Sequence, residues 1–144
     1  MAPEHRKITS MSAARDAVGT LKTAAADGRI DQLCERLGVR LLGIFGSAAR
    51  PGGHDPHDVD IAVSFVGPRR DIDLIDALVQ LTNFDGIDLA VVDRADPVLR
   101  GAAFVGIPLF EAVAGAYAET QMAAFAEQRD TAWLRRLDLE TMAQ

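Results

Sequence analysis

The sequence predicts an α/β fold, a mixed β-sheet flanked by helices with a further helix at the carboxyl end. Three observations carry this prediction. The 144 residues are enough for one domain with a real core and too few for two ordinary ones. The β-rich run Val39–Phe45 and the alternating apolar residues of Asp58–Phe65 and Gly86–Val92 read as strands. Between and around them lie segments with helical spacing or helix-forming composition. An apolar fraction of 49% with 25% charged residues is that of a folded globular protein.

Taken in order, Ser10 to Ala26 is rich in alanine and other helix formers, with Ser10 or Ser12 as a candidate cap and Gly28 closing the segment. A second short helix is expected from Asp31 to Leu37, ended by Gly38, and it leads into the strand Val39–Phe45. That strand delivers Gly46-Ser47, followed by the turn formers of Arg50-Pro51-Gly52-Gly53-His54-Asp55. In the next strand Val59, Ile61, Val63 and Phe65 share one face while Asp58 and Asp60 share the other. Asp71 to Leu81 repeats Ile72, Ile75, Leu78 and Val79 at helical spacing and is expected to pack on the sheet. Gly86 to Val92 is a third strand, Asp93 to Phe104 a helix, Pro108 to Glu111 a short edge strand, and Gly115 to Arg136 a long terminal helix. The expected organisation is a single domain: a helical segment 1–28, a core 29–112 and a terminal helix 113–144.

Charge and cysteine content exclude whole classes of function. Twenty-one acidic residues against fifteen basic ones give a net charge of −6, which argues against sequence-independent nucleic-acid binding. Cys34 is the one cysteine, so no intrachain disulfide forms, and with no histidine near it in sequence it reads as a packed apolar residue. The absence of an apolar leader or a run of transmembrane length points to a cytoplasmic protein.

Asp58 and Asp60, two apart on a strand, project from one face with backbones roughly 6.5–7 Å apart. If the strand Gly86–Val92 pairs beside them, Asp88 joins from the neighbour while Ile87 and Leu89 point to the core. Small residues around the acids, Ala62, Gly86 and Ala90, leave room for a ligand. Three clustered carboxylates repel one another unless a hard cation sits among them, and Mg²⁺ is the leading candidate. A pair of such ions about 3.5–4 Å apart can clamp the attacking and leaving oxygens of a phosphoryl displacement. Gly46 lets a backbone approach phosphates, and Ser47 offers a hydroxyl at the start of a short helix. Arg50, three residues on, either pairs with phosphate or is solvated. His54 and His57 read as exposed loop residues, and Arg69 and Arg70 as solvated. Tyr117, Met122, Phe125, Trp133 and Leu137 form either core or a partner-binding face. An EF-hand is excluded because no glycine and glutamate follow Asp60 in the required order, and neither a P-loop nor a dinucleotide-binding glycine pattern is present.

Gly46-Ser47, ten intervening residues and then Asp58-Val59-Asp60 match the Gly-Ser-x10-Asp-x-Asp signature of the polymerase-β-like nucleotidyltransferase superfamily. In particular the chain resembles the minimal nucleotidyltransferases (MNT) that serve as antitoxins of HEPN ribonuclease toxins, over about Arg29 to Glu111. Ala48 is a mild departure, and Arg50 stands where the family often has a basic residue. The resemblance implies the family's mixed-sheet fold, ATP and Mg²⁺ binding at Asp58 and Asp60, a third acid at Asp88, and transfer of AMP to a HEPN toxin partner. A tyrosine hydroxyl is the expected acceptor, because its phenol ionises near pH 10 and so yields its proton more readily than an aliphatic alcohol. The alternatives are an antitoxin with a vestigial site that acts by binding alone, and a small-molecule nucleotidyltransferase.

Overall fold

The structure, a computed structural model, describes residues 4–50, 56–92, 103, 105–123, 125–126 and 129. Helix α1 (Glu4–Asp27) is followed by α2 (Arg29–Leu37), β1 (Val39–Phe45), a 3₁₀ turn (Gly46–Ala49), β2 (Val59–Phe65), α3 (Asp71–Thr82), β3 (Ile87–Val91) and β4 (Ile107–Glu111). Residues 116–123 are again helical. Of the expected helix over Asp93–Phe104 only Ala103 is described, helical and buried; the far part of the terminal helix, with Trp133 and Leu137, lies outside the described residues, as do His54 and the Pro51-Gly52-Gly53 loop.

The four strands form one mixed sheet in the order β3-β2-β1-β4. β1 pairs antiparallel with both β2 and β4, whereas β2 pairs parallel with β3 through the α3 crossover. A bulge at the start of β1, between Val39 and Leu41, changes its facing. Val39, Leu42 and Ile44 therefore enter the helix-covered core, while Leu41 faces the opposite side.

One face of the sheet carries all three N-terminal helices. Ala14, Ala17, Leu21 and Ala24 of α1, Ile30, Leu33, Cys34 and Leu37 of α2, and Leu74 and Leu78 of α3 pack against Val59, Ile61, Val63 and Phe65 of β2. The alternation read from β2 thus holds, with Val59, Ile61 and Val63 fully buried. Gly28 breaks α1 from α2 at φ 93°, a left-handed conformation that suits glycine. α1 begins at Glu4, upstream of the Ser10 or Ser12 cap expected from the sequence, because the polar segment before Ser10 continues the helix. α3 also turns differently from its expected stripe. Ile72 is 75% exposed, and the buried contacts come from Leu74 and Leu78, one helical turn apart.

A smaller apolar cluster of Leu41, Ala62, Val92, Ala103 and Tyr117 covers the lower half of the other face. A Cβ on Gly43 would collide with the Tyr117 hydroxyl, so glycine at this point lets the hydroxyl end of that side chain reach β1. Tyr117 is therefore core, while Met122, 70% exposed, is not. Cys34 is buried, which pushes its thiol up to about 12 and leaves it unreactive, as expected from its neighbours. Among the described residues no helix is long and apolar enough to cross a membrane.

Because α1 closes the main core, Leu21→Ala is expected to lower unfolding stability by about 2–5 kcal/mol in a urea titration. A change near zero would mean that α1 does not pack on the sheet.

Candidate active site

Among the described residues, the part of the second sheet face that the Tyr117 cluster does not cover is where the sequence-derived residues meet. β1 ends there and β2 begins there, so the antiparallel pair sets Phe45 opposite Asp60. The parallel pair sets Asp60 opposite Asp88 in register. Asp58 stands one residue before β2, whose Val59 N–H donates to the Gly86 carbonyl at 2.8 Å. The expected juxtaposition of Asp58, Asp60 and Asp88 across two strands is thus present, with Asp60 half-buried and the other two exposed.

Two glycines make the space. Gly46 turns the chain at φ 71°, and a Cβ there would lie 2.6 Å from Asp60 Oδ2. Gly86 holds the same place for Asp58, since a Cβ on it would lie 3.2 Å from Asp58 Oδ1 and 2.6 Å from the Phe84 ring. Ala62, also expected to leave room, does not. It is 1% exposed beneath the second apolar cluster, which fills the face below Asp60.

Ser47 is exposed on the 3₁₀ turn, which is only four residues long, and Arg50 follows it, its N–H donating to the Ser47 carbonyl at 3.2 Å. Both line a groove of about 340 Å³. His57 is exposed beside Asp58. Arg69 and Arg70 lie elsewhere, forming exposed ion pairs with Asp71 and Asp73 at the start of α3. Sequence reasoning passed over Arg15 and Lys22 of α1, which line the same groove as Ser47. Their signal was the pair of basic residues two helical turns apart, Arg15 and Lys22, beside the buried alanines.

Burial, and then the charges of Asp88 and Asp58, push the Asp60 carboxyl above its ordinary value. Among the described residues no three acidic, histidine or cysteine side chains are drawn together tightly enough to hold a metal. The donor set still fits a hard divalent cation: it is all oxygen, its central carboxylate is strained by its neighbours' charge, and a cation reverses that penalty.

No family model matches the sequence, and no curated protein matches it significantly. Solved structures do match. A substituted form of the MntA–HpeT toxin–antitoxin pair has a TM-score of 0.61 at 18% identity, covering 81% of this chain and 98% of that one. A toxin–antitoxin structure with AMP-PNP gives 0.60 at 19% identity, with the same coverage. A third, of the tri-AMPylated Shewanella oneidensis HEPN toxin in complex with MNT antitoxin, gives 0.56 at 18%, covering 81% and 95%. The chain has the MNT nucleotidyltransferase fold.

Folding favours the protonated Asp60 carboxyl, so its contribution is fully present below the unfolded value and is lost as pH rises through the folded one. In EDTA near neutral pH, Asp60→Asn is therefore expected to melt above the wild type, the gap closing toward about pH 4. An Asn variant that melts lower at neutral pH would show that Asp60 is held by a favourable partner instead.

Proposed function

We propose that this chain is a nucleotidyltransferase antitoxin that moves AMP from ATP onto a tyrosine hydroxyl of a cognate HEPN toxin. The observation that carries the proposal is the register of Asp60 with Asp88, with Asp58 at the strand mouth and Gly46-Ser47 alongside. It occurs on the fold of the MNT antitoxins, one neighbour of which is bound to AMP-PNP and another to a tri-AMPylated toxin.

Each residue has a part to play. Gly46 presents backbone without a side chain, so phosphates can approach Asp60 closely. Ser47 donates its hydroxyl to a phosphate oxygen, and Arg50 adds charge at the end of the turn. Asp58, Asp60 and Asp88 would hold two Mg²⁺ ions, which supply Lewis-acid stabilisation to the charge developing on the attacking and leaving oxygens. Asp88, exposed at the edge of the triad, accepts the proton of the incoming phenol. The phenolic oxygen forms a bond to the α-phosphorus as the bond to the β-phosphate bridging oxygen breaks, so pyrophosphate leaves with that electron pair. Among the described residues Asp58 and Asp88 are exposed, so a protein can bring its own hydroxyl to them. A net charge of −6 disfavours a polynucleotide acceptor. ATP as the donor is consistent with a cytoplasmic setting.

On the toxin, the added phosphodiester would place a negative charge and a bulky nucleoside where an RNA phosphate approaches. The effect is both electrostatic repulsion and steric exclusion.

Two measurements test this reading. In calorimetry, ATP is expected to bind in Mg²⁺ and to weaken by at least about tenfold in EDTA, since the carboxylates repel the bare triphosphate. Equal affinity in the two buffers would remove the metal from the site. In intact-mass spectrometry of the co-purified toxin after incubation with ATP and Mg²⁺, additions of roughly 329 Da per AMP are expected on tyrosine. The Asp58→Ala/Asp60→Ala protein should slow this by at least about a hundredfold. A toxin that stays unmodified yet is neutralised by that double variant would replace the enzyme with an antitoxin acting by binding alone.

A further inference from the structure

Phe84 is a large aromatic residue beside the carboxylates, and the reaction described above gives it no part. Its position is set from α3. That helix ends at Thr82, and Asn83 closes it at φ 53° with its N–H donating to the Val79 carbonyl at 2.7 Å. The Thr82 hydroxyl donates to the Leu78 carbonyl at 2.8 Å and more weakly to the Phe84 carbonyl at 3.4 Å, so the chain leaves the helix in a fixed direction. The Phe84 side chain is half-buried and packs on the helix-covered core.

Its ring reaches the carboxylates past a glycine. β2 and β3 pair Val59 with Ile87, and Asp58 and Gly86 each stand one residue before that pair. The hydrogen bond from the Val59 N–H to the Gly86 carbonyl, 2.8 Å long, ties the two segments together at this point. A Cβ on Gly86 would lie 2.6 Å from Phe84 Cζ, 2.9 Å from Phe84 Cε2 and 3.2 Å from Asp58 Oδ1. The tip of the ring and the carboxylate therefore border one small space, and no side chain at 86 separates them.

This contact bears on the least constrained of the motif acids. Asp58 lies just outside β2 with its side chain exposed, whereas Asp60 is held within the strand. An aspartate turns about two side-chain bonds, yet a site residue must be held within about 0.5 Å of its working place. Cζ and Cε2 belong to the edge of the ring, the positive part of an aromatic quadrupole, so the edge attracts a carboxylate oxygen while it blocks rotation into the space it fills. We propose that Phe84 is a positioning residue of the site: seated on the core and reaching past Gly86, its ring edge fixes the Asp58 carboxylate for a divalent cation shared with Asp60. The proposal rests on the nucleotidyltransferase reading above. It adds a support that comes from the end of α3, outside the Gly-Ser-x10-Asp-x-Asp signature. Gly86 then does more than leave room, since it lets the ring and the carboxylate meet.

The test uses Phe84→Leu, which keeps an apolar side chain on the core and removes the aromatic edge. Mn²⁺ binding to the nucleotide-free protein is read by electron paramagnetic resonance, Mn²⁺ being a cation that suits the same oxygen ligands as Mg²⁺. Losing a group that supports a metal ligand costs about tenfold or more in affinity, so Mn²⁺ is expected to bind about tenfold more weakly. In AMP transfer the half-saturating Mg²⁺ concentration should rise in proportion, with kcat recovered at saturating metal. A purely structural role would lower the folded fraction and leave the metal requirement unchanged, and Leu21→Ala, which loosens the core elsewhere, supplies that comparison. In the Asp58→Ala background Phe84→Leu should cost nothing further, because the carboxylate it acts on is gone. Where Phe84→Leu fails to fold, Gly86→Ala keeps the ring and wedges a methyl between it and the carboxylate, and a comparable loss is expected. Unchanged Mn²⁺ affinity in the folded variant, an equal loss in Leu21→Ala, or the full loss persisting without Asp58 would overturn the proposal. A wild type that neither binds Mn²⁺ nor transfers AMP sinks the nucleotidyltransferase reading as well. A wild type that does both, matched in both by Phe84→Leu, removes the role of Phe84 alone.

Discussion

The parallel pairing of β2 with β3 sets Asp60 directly opposite Asp88, with Asp58 close by, and the rest of the molecule is arranged around that repulsion. Like charges opposite one another on neighbouring strands destabilise a sheet, on a scale of about 0.2–1 kcal/mol for a cross-strand pair. The register survives because the same pairing sets Val59 against Ile87 and Ile61 against Leu89 on the reverse face. Fully burying one Val or Ile side chain contributes roughly 1.5–3 kcal/mol, so two or three such residues exceed the charge penalty. A one-residue slip would relieve the acids and turn Val59, Ile61 and Val63 out of the core at once. Hydrophobic burial on one face therefore fixes an electrostatically unfavourable arrangement on the other.

The two faces of the sheet meet the same demand in different ways. The helix-covered face is continuous from α1 to α3, while the opposite face is divided. Tyr117 closes its lower half only because Gly43 has no side chain, and Gly46 and Gly86 keep the upper half clear beside Asp60 and Asp58. Tyr117 thus limits how far the open surface extends along the strands. Its hydroxyl is pushed up to about 12 by burial and stays protonated in the range where the carboxylates work. A charge there would add to the repulsion.

Much of this was legible in the sequence because it depends on local pattern. The period-two alternation of Val59, Ile61, Val63 and Phe65 predicted both the facing of β2 and the side on which Asp58 and Asp60 lie. The glycine at 38 and the β-rich run after it marked β1, whose bounds Val39–Phe45 agree with the structure. What local pattern could not carry was long-range placement. Ile72 and Leu74 are equally apolar, and only the docking angle of α3 puts Leu74 inward. Ala62 is small in either reading, but whether its space is open depends on Tyr117, more than fifty residues away. The bulge at the start of β1 left no compositional mark, because Val39, Leu41 and Leu42 all suit either face.

The position of α1 shows why the same limit applies to the candidate site. Its sequence is polar and alanine-rich, and nothing in it resembles a ligand-binding element. Yet the alanines that make it unremarkable are the residues that let it lie close to the sheet. Close packing then sets the stripe of Arg15 and Lys22 over the 3₁₀ turn. A bulkier buried stripe would hold the helix farther away and move those cations out of reach of Ser47. Charge is thus placed by packing: Asp58 and Asp60 stand at the mouth of β2, while Arg15 and Lys22 reach the 3₁₀ turn from a helix.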